Sequence, residues 1–243
     1  MRRTFWITLL AVLAFAVIVL TRLPASWVVP AGGGAGFTCA SVDGSIWSGA
    51  CSGLAVQRVA VGDLTWDLQP AQLLAGALAA HVTLAHGPIS VRGDVALGFG
   101  HRLTLRNLIA DVPVDHRVLR QAPRDLSGTL HLDLALAHIE KGAVTELQGR
   151  LEAHDLIDSH GRTTPLGSYA LVFPGGNLTG RLQDLGGPLA VSGTVRLTPG
   201  RGYAVDGLVA ARADAPPELV NNLAFLGSPD AQGRRPFSMS GTF

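Results

Sequence analysis

The stretch ISVRGDVALGF, residues 89–99, decides how this chain folds. Its apolar face consists of the odd positions: Ile89, Val91, Gly93, Val95, Leu97 and Phe99. Because successive side chains of a β-strand point to opposite faces, this period of two predicts a strand with one apolar and one polar face. The same alternation returns in residues 129–136 and 189–197. It is typical of antiparallel sheets that expose one face to water.

The composition also favours strands. The 243 residues include 30 glycines and 14 prolines, and only 15% of them are charged. Helical patterns are confined to residues 70–78 and to residues 215–226, where Pro216 and Pro217 suit a first turn and Gly227 a C-terminal cap. We therefore predict a mainly β fold: a curved, largely antiparallel β-sheet domain with one or two short helices.

A small pattern, apolar-x-Gly-x-apolar, recurs inside the predicted strands at irregular spacing. Examples are VRGDV at residues 91–95, LQGRL at 147–151 and VSGTV at 191–195. The glycine falls on the apolar face each time. It either relieves crowding there or lets the sheet bend into a trough with a concave apolar face.

The N-terminus reads as a membrane anchor. Residues 5–20 carry no charge, and as a helix they would span about 24 Å, which flanking residues can extend toward the roughly 30 Å of a hydrocarbon core. No small-x-small cleavage site follows, which favours an anchor over a cleaved signal peptide. Arg2 and Arg3 predict that the N-terminus stays in the cytoplasm.

Four segments follow from this interpretation. Residues 1–4 are a cytoplasmic N-terminus, residues 5–22 a transmembrane anchor, and residues 23–36, with AGGGAG, a flexible tether. Residues 37–243 are then an exported, β-rich domain. Beyond residue 22 the chain holds 16 basic and 18 acidic residues, so it offers no basic face to nucleic acid.

The residues give little sign of chemistry. The eight histidines form no HExxH or His-x-His pattern beside acids, the Gly-rich run lacks the ending of a phosphate-binding loop, and no GxSxG occurs. We predict no enzymatic activity, no metal and no cofactor.

Both cysteines lie in CASVDGSIWSGAC, residues 39–51. Their spacing is too wide for a CxxC redox pair, and no further cysteine could complete a zinc site. A Cys–His nucleophile pair stays open as an alternative. In an exported chain we expect a disulfide between Cys39 and Cys51. Asp43 and Gly44 predict a hairpin turn at residues 42–45.

Three blocks resemble the type II secretion system protein N family. They are GSIWSG at residues 44–49, VGDLTWDLQPAQLLAG at 61–76, and the C-terminal run at 180–243. The resemblance implies a single-pass protein of the bacterial inner membrane, mostly periplasmic, which is a non-enzymatic accessory part of the secretion machinery. Its partners would be other type II secretion system proteins.

A looser similarity in strand-rich texture links such domains to AsmA-like proteins. It supports an alternative function, in which an apolar β-groove binds or moves lipid in the periplasm. As candidate structural or interface residues the motifs single out Gly44, Trp47, Gly49, Trp66 and Pro70. The two tryptophans can serve either as core aromatics or as interface anchors.

Overall fold

The computed structural model describes residues 6, 23–27, 36–56, 59–116, 119, 123–160, 162–198 and 202–242. Within these residues the chain forms 14 β-strands, two short α-helices and one 3-10 turn. All strand pairs are antiparallel, which confirms the predicted mainly β fold. The curvature of the sheet stays a prediction. By its internal contacts the chain divides into two compact units, Met1–Gly87 and Pro88–Phe243, called unit 1 and unit 2 below.

Unit 1 contains five strands in its described residues, with one helix between the last two. Its elements are the 3-10 turn Ala25–Trp27, β1 (Phe37–Thr38), β2 (Ser41–Gly44), β3 (Ser48–Val56), β4 (Val59–Leu68), α1 (Pro70–Leu74) and β5 (Ala77–His86). Both β1 and β2 pair with β3, which is followed by β4 and β5. Since Phe37 lies opposite Val56 and Gly44 opposite Gly49, β1 and β2 keep one register along β3.

Unit 2 is a meander in which each strand pairs with the next along the chain. Its elements are β6 (Ile89–Gly98), β7 (Arg102–Pro113), β8 (Leu126–Glu140), β9 (Ala143–Asp158), β10 (Thr164–Pro174), β11 (Thr179–Gly186), β12 (Leu189–Thr198), β13 (Gly202–Ala211), α2 (Pro217–Leu223) and β14 (Arg235–Thr242). Strand β6 contains all of the alternating stretch at residues 89–99 except Phe99. Most of the connections are two to five residues long, which favours pairing between sequential neighbours; the longer ones join β7 to β8 and β13 to β14.

The two faces of unit 2 differ as the alternation predicts. In β8, Leu132 and Leu134 lie on one face with Leu151 and Gly149 as their cross-strand partners in β9. The opposite face carries polar pairs, such as His131 with Asp111 at 2.7 Å between Nδ1 and Oδ1. Apolar side chains are therefore collected on one face, and charges on the other.

Glycines on the apolar face make room for large neighbours. A Cβ on Gly93 would lie 2.8 Å from Cα of Leu108, and one on Gly180 would lie 2.9 Å from the Phe173 ring. Because real Cβ atoms do not approach so closely, a side chain at either position would displace its neighbour. The glycines thus relieve crowding, which is the first of the two interpretations given above.

Both helices are shorter than predicted. The helix expected over residues 70–78 ends at Leu74, because Gly76 adopts a left-handed backbone (φ +77°) and the following residues join β5. The helix expected over residues 215–226 spans Pro217–Leu223. Gly227 has the left-handed conformation of a cap (φ +74°), but it lies beyond the end of the helix.

The predicted anchor, residues 5–22, and the predicted cytoplasmic residues 1–4 lie outside the described residues apart from Trp6. Among the residues that are described, no helix combines the length and apolar character needed to cross a membrane. The predicted tether is described at residues 23–27 and at Gly36.

Candidate functional site

The centre of unit 1 is a disulfide with apolar side chains around it. Cys39 and Cys51 are bonded, with their Cα atoms 5.6 Å apart, which confirms the predicted pairing. Both are buried, together with Leu54. The partly buried side chains packed against them are Phe37, Val42, Val61, Leu64, Trp66 and Leu84. Neither cysteine is free, so no thiol is available for nucleophilic catalysis.

The hairpin turn lies elsewhere than predicted. Asp43 pairs with Ala50, and Gly44 with Gly49, so both residues of the expected Asp-Gly turn belong to strand β2. The chain reverses after Ser45 instead. The prediction of a turn at residues 42–45 is therefore wrong.

Ser45 explains the shift of the turn. Its Oγ accepts the backbone N–H groups of Trp47 and Ser48, each at 3.2 Å. Its own backbone N–H donates to the Ser48 carbonyl at 2.9 Å. A hydroxyl that satisfies two turn amides competes successfully with the Asp-Gly signal two residues earlier.

Three of the motif residues meet on this hairpin. Gly49 lies opposite Trp66 of β4, and a Cβ on Gly49 would lie 2.5 Å from Cζ2 of that indole. The indole N–H donates to the Ile46 carbonyl at 3.1 Å. A Cβ on Gly44 would lie 2.5 Å from the Ser48 carbonyl oxygen. The Gly-x-x-Trp-x-Gly and Trp-x-Leu-x-Pro motifs are therefore two halves of one contact.

The remaining two motif residues lie at the same end of the strands. The carbonyl of Trp47 accepts the Leu68 N–H at 2.6 Å, and Trp47 is half-buried. Two residues later, the exposed Pro70 begins α1. Pro70 fits this first helical position because its missing N–H would have no partner in the helix.

The first described residues of the chain join this end too. The Ile46 N–H donates to the Leu23 carbonyl at 3.0 Å, and Pro24 bridges to Ser45. Ala25 is buried. We call the region made by residues 23–27, 44–49 and 66–78 the α1 end of unit 1.

Large apolar side chains are exposed at the α1 end. The exposed fractions are 79% for Trp27, 46% for Leu73, 94% for Leu74 and 43% for Leu78. Sequence reasoning did not select these residues. The available signal was charge: residues 23–27, 44–50 and 68–80 contain no charged side chain. Leu73, Leu74 and Leu78 lie within six residues of one another along the chain, and exposed apolar groups of this kind can mark an interaction site.

Unit 2 offers a second feature, on the apolar face of β8, β9 and β10. A depression of about 110 Å³ lies there, lined mainly by apolar side chains, with Leu134 and Phe173 buried and Leu132, Leu147, Leu151 and Leu171 half-buried. Pockets that enclose small molecules usually measure about 300–1,000 Å³. The depression is therefore a shallow apolar contact surface.

The polar face of unit 2 holds ion pairs. A hydrogen bond from His131 lowers the pKa of the Asp111 carboxyl, and Arg150 does the same for Glu152, whose Oε2 also lies 2.7 Å from His154 Nε2. Within the described ranges, no three His, Cys, Asp or Glu side chains are grouped to hold a metal ion. These partly exposed pairs need no role beyond that of a solvated sheet surface.

Known proteins resemble this chain over most of its length. The family model described as type II secretion system (T2SS), protein N, matches residues 35–238. The type II secretion system protein N of Aeromonas hydrophila is 28% identical over 209 residues, which cover 82% of each chain. The protein of that name in Vibrio cholerae serotype O1 is 24% identical over 221 residues, or 85% of each.

No solved structure matches the chain. The family match includes the disulfide, the glycine–tryptophan contact, strands β6 to β13 of unit 2 and the first four residues of β14. Together with the two relatives, it settles the family to which the resemblance of the motifs pointed. The chain belongs to the type II secretion system protein N family.

Proposed function

We propose that this protein is a non-enzymatic, structural component of the type II secretion machinery, anchored in the bacterial inner membrane by residues 5–22. Its bulk then lies in the periplasm and contacts other secretion proteins. The observation that carries the proposal is the match of the family model to residues 35–238. The buried Cys39–Cys51 disulfide supports a periplasmic location, because such bonds persist in oxidising compartments.

The edge of the sheet in unit 2 is the docking surface that best suits such a role. In the described part of this unit, β14 pairs with β13 and has no strand on its other side. Residues 237–242 carry no charge. Edge strands that lack charges or a bulge readily accept a further strand, since their outer N–H and C=O groups lack strand partners. An extended segment of another secretion protein would fit there.

Photocrosslinking in secreting cells tests this role. A photoreactive residue at Ser240, exposed on β14, should capture another type II secretion protein. The matched control is Ser192, which is also exposed but lies on β12, between two strands. Capture from both positions or from neither would contradict docking at this edge. Normal secretion in a deletion strain would contradict the proposed role itself.

The apolar face of unit 2 favours a second candidate function, the binding of lipid in the periplasm. The half-buried leucines around Leu132 and Leu171 could contact an acyl chain along the shallow depression. Burial of hydrocarbon would supply about 0.8 kcal/mol per CH₂ group. Seven of the eight residues that line the depression are apolar or glycine, and Arg150 is the eighth, so hydrocarbon contact would dominate the binding of lipid.

Native mass spectrometry of the full chain, released from mild detergent, tests the second candidate. Bound lipid should add the mass of a phospholipid to the protein. Replacement of Leu132 by Gln should remove that mass, whereas replacement of the exposed Leu185 in the same unit should leave it. A chain that carries no lipid mass would refute lipid binding.

A further inference from the structure

We propose that the α1 end of unit 1 rests on the periplasmic surface of the inner membrane, with its exposed apolar side chains in the lipid headgroup region. The inference rests on the proposed anchor at residues 5–22. It names a binding partner for a specific surface: the bilayer next to that anchor. Under this proposal unit 1 lies directly on the membrane instead of hanging from a long tether.

The first argument is the short reach of the chain. Leu20 ends the apolar run, and Leu23 is already hydrogen-bonded to the β2–β3 turn through Ile46. Three residues can span at most about 11 Å. The headgroup region on one side of a bilayer is about 5–8 Å deep. Leu23, and the turn bonded to it, must therefore lie within or just outside that region.

The second argument is that the contacts fix more than one residue. Besides the bond from Ile46, Pro24 bridges to Ser45 and the buried Ala25 follows. The turn is tied in its own right to the beginning of α1, because the carbonyl of Trp47 accepts the Leu68 N–H. From Leu23 to the beginning of α1, the connection thus runs through successive hydrogen bonds.

The third argument is chemical. The α1 end exposes the apolar side chains of Trp27, Leu73, Leu74 and Leu78. It also has no charged residue at positions 23–27, 44–49 and 68–78. Asp67 is the acid next to this uncharged stretch along the chain. Tryptophan is enriched at membrane–water interfaces, where its ring meets headgroups and its N–H can still find a partner. Exposed leucines gain from contact with the acyl boundary of a membrane.

Continuity with the anchor selects the bilayer over other occupants. A protein partner would have to enter a gap of about 11 Å between this surface and the hydrocarbon core. The anchor, by contrast, holds the bilayer next to the α1 end within the same chain. Contact with lipid therefore does not require the association of a second molecule. Contact of Leu74 with a secretion protein instead of lipid is an outcome that the test must distinguish.

Depth-dependent fluorescence quenching provides the test. The full chain, with Leu74→Cys carrying an environment-sensitive fluorophore, is reconstituted into vesicles of phosphatidylethanolamine and phosphatidylglycerol. Some vesicles contain lipids brominated near the headgroup. The matched control is Val56→Cys, which is also apolar and 42% exposed in unit 1. It lies at the far end of β3, roughly 26 Å along the strand from the turn.

We expect brominated lipid to quench the label at Leu74 at least threefold more than the label at Val56. Equal quenching at the two positions, or no quenching at Leu74, would overturn the proposal. Extraction with alkaline carbonate is run in parallel. If carbonate releases the chain from the vesicles, the proposed anchor fails. If the chain resists carbonate and Leu74 stays unquenched, the anchor stands and the surface proposal fails alone.

A crosslinkable group at Leu74 in secreting cells separates lipid from protein. Capture of another secretion protein at this position would contradict a membrane contact. Lipid adducts, without protein adducts, are the expected result. Leu74 is 94% exposed, so its replacement should not disturb folding, and an intact Cys39–Cys51 bond in each variant checks this.

Discussion

At the scale of single residues, the contact of Gly49 with Trp66 shows what a motif can and cannot predict. Both residues were selected from the sequence, but their meeting depends on the register of β3 against β4. That register is the same on both sides of two irregularities next to Leu54, whose shifts cancel, and no local sequence pattern specifies this. The sequence therefore identified the participants, and the structure supplies the contact.

Replacement of Gly49 by Ala tests the closeness of this contact. The new Cβ would meet the Trp66 ring at 2.5 Å and the Asp43 carbonyl oxygen at 2.7 Å. Overpacking of this kind costs about 1–3 kcal/mol, and we expect the free energy of unfolding to fall by that amount in guanidinium titrations of the full chain. Gly98→Ala is the control, because its Cβ would meet nothing closer than 3.8 Å. Equal losses in the two variants would contradict the packing argument.

Glu152 gives the molecule a dependence on pH. The Arg150 guanidinium, and then His154, lower the pKa of Glu152 below its ordinary value of 4.5. A carboxyl whose pKa is lowered by folding stabilises the folded state above pH 4.5, and this contribution disappears as the pH falls through the folded-state pKa. Glu152→Gln should therefore cost about 0.5–1 kcal/mol at pH 7, and less at pH 3 than at pH 7. An equal cost at both pH values would refute this assignment.

At the scale of elements, alternation predicted strands well and turns less well. Residues 89–99, 129–136 and 189–197 lie largely in β6, β8 and β12. Period-two patterns are reliable because one face of each strand must be apolar. The prediction of a turn at Asp43 and Gly44 was wrong, because the Ser45 hydroxyl accepts the backbone N–H groups of Trp47 and Ser48 and so places the turn after Ser45. Helix α1 was predicted too long, because Ala77 and Leu78, which follow Gly76, belong to strand β5.

Loss of the disulfide should affect the elements of unit 1 selectively. The bond closes a loop between residues 12 positions apart, for which restriction of the unfolded chain contributes about 3 kcal/mol. In a Cys39→Ser, Cys51→Ser double variant, amide hydrogens of β2, β3 and β4 should exchange faster. Those of β8 and β9, in unit 2, should be unchanged. Faster exchange throughout both units would argue against this local effect.

At the scale of the whole molecule, composition and structure lead to different expectations for residues 23–36. Glycine content predicts one flexible tether between membrane and domain. The hydrogen bonds of Leu23 and the burial of Ala25 assign the first five of these residues to the α1 end. No sequence pattern could predict this, because a backbone bond to Ile46 leaves no trace in residue types. The rest of the predicted tether, apart from Gly36, lies outside the described residues.

Two insertions of the same linker decide between these expectations. Ten Gly and Ser residues placed between Arg22 and Leu23 would add a mean span of roughly 17 Å between the anchor and the α1 end. The same linker placed after Gly33 lies beyond the contacts of residues 23–27 and should leave the α1 end on the membrane. We expect the first insertion to abolish quenching of a label at Leu74 by brominated lipid, and the second to preserve it. Equal reductions of quenching by the two insertions would contradict this expectation. They would mean that residues 23–36 behave as a single tether, in which added length has the same effect before and after Trp27.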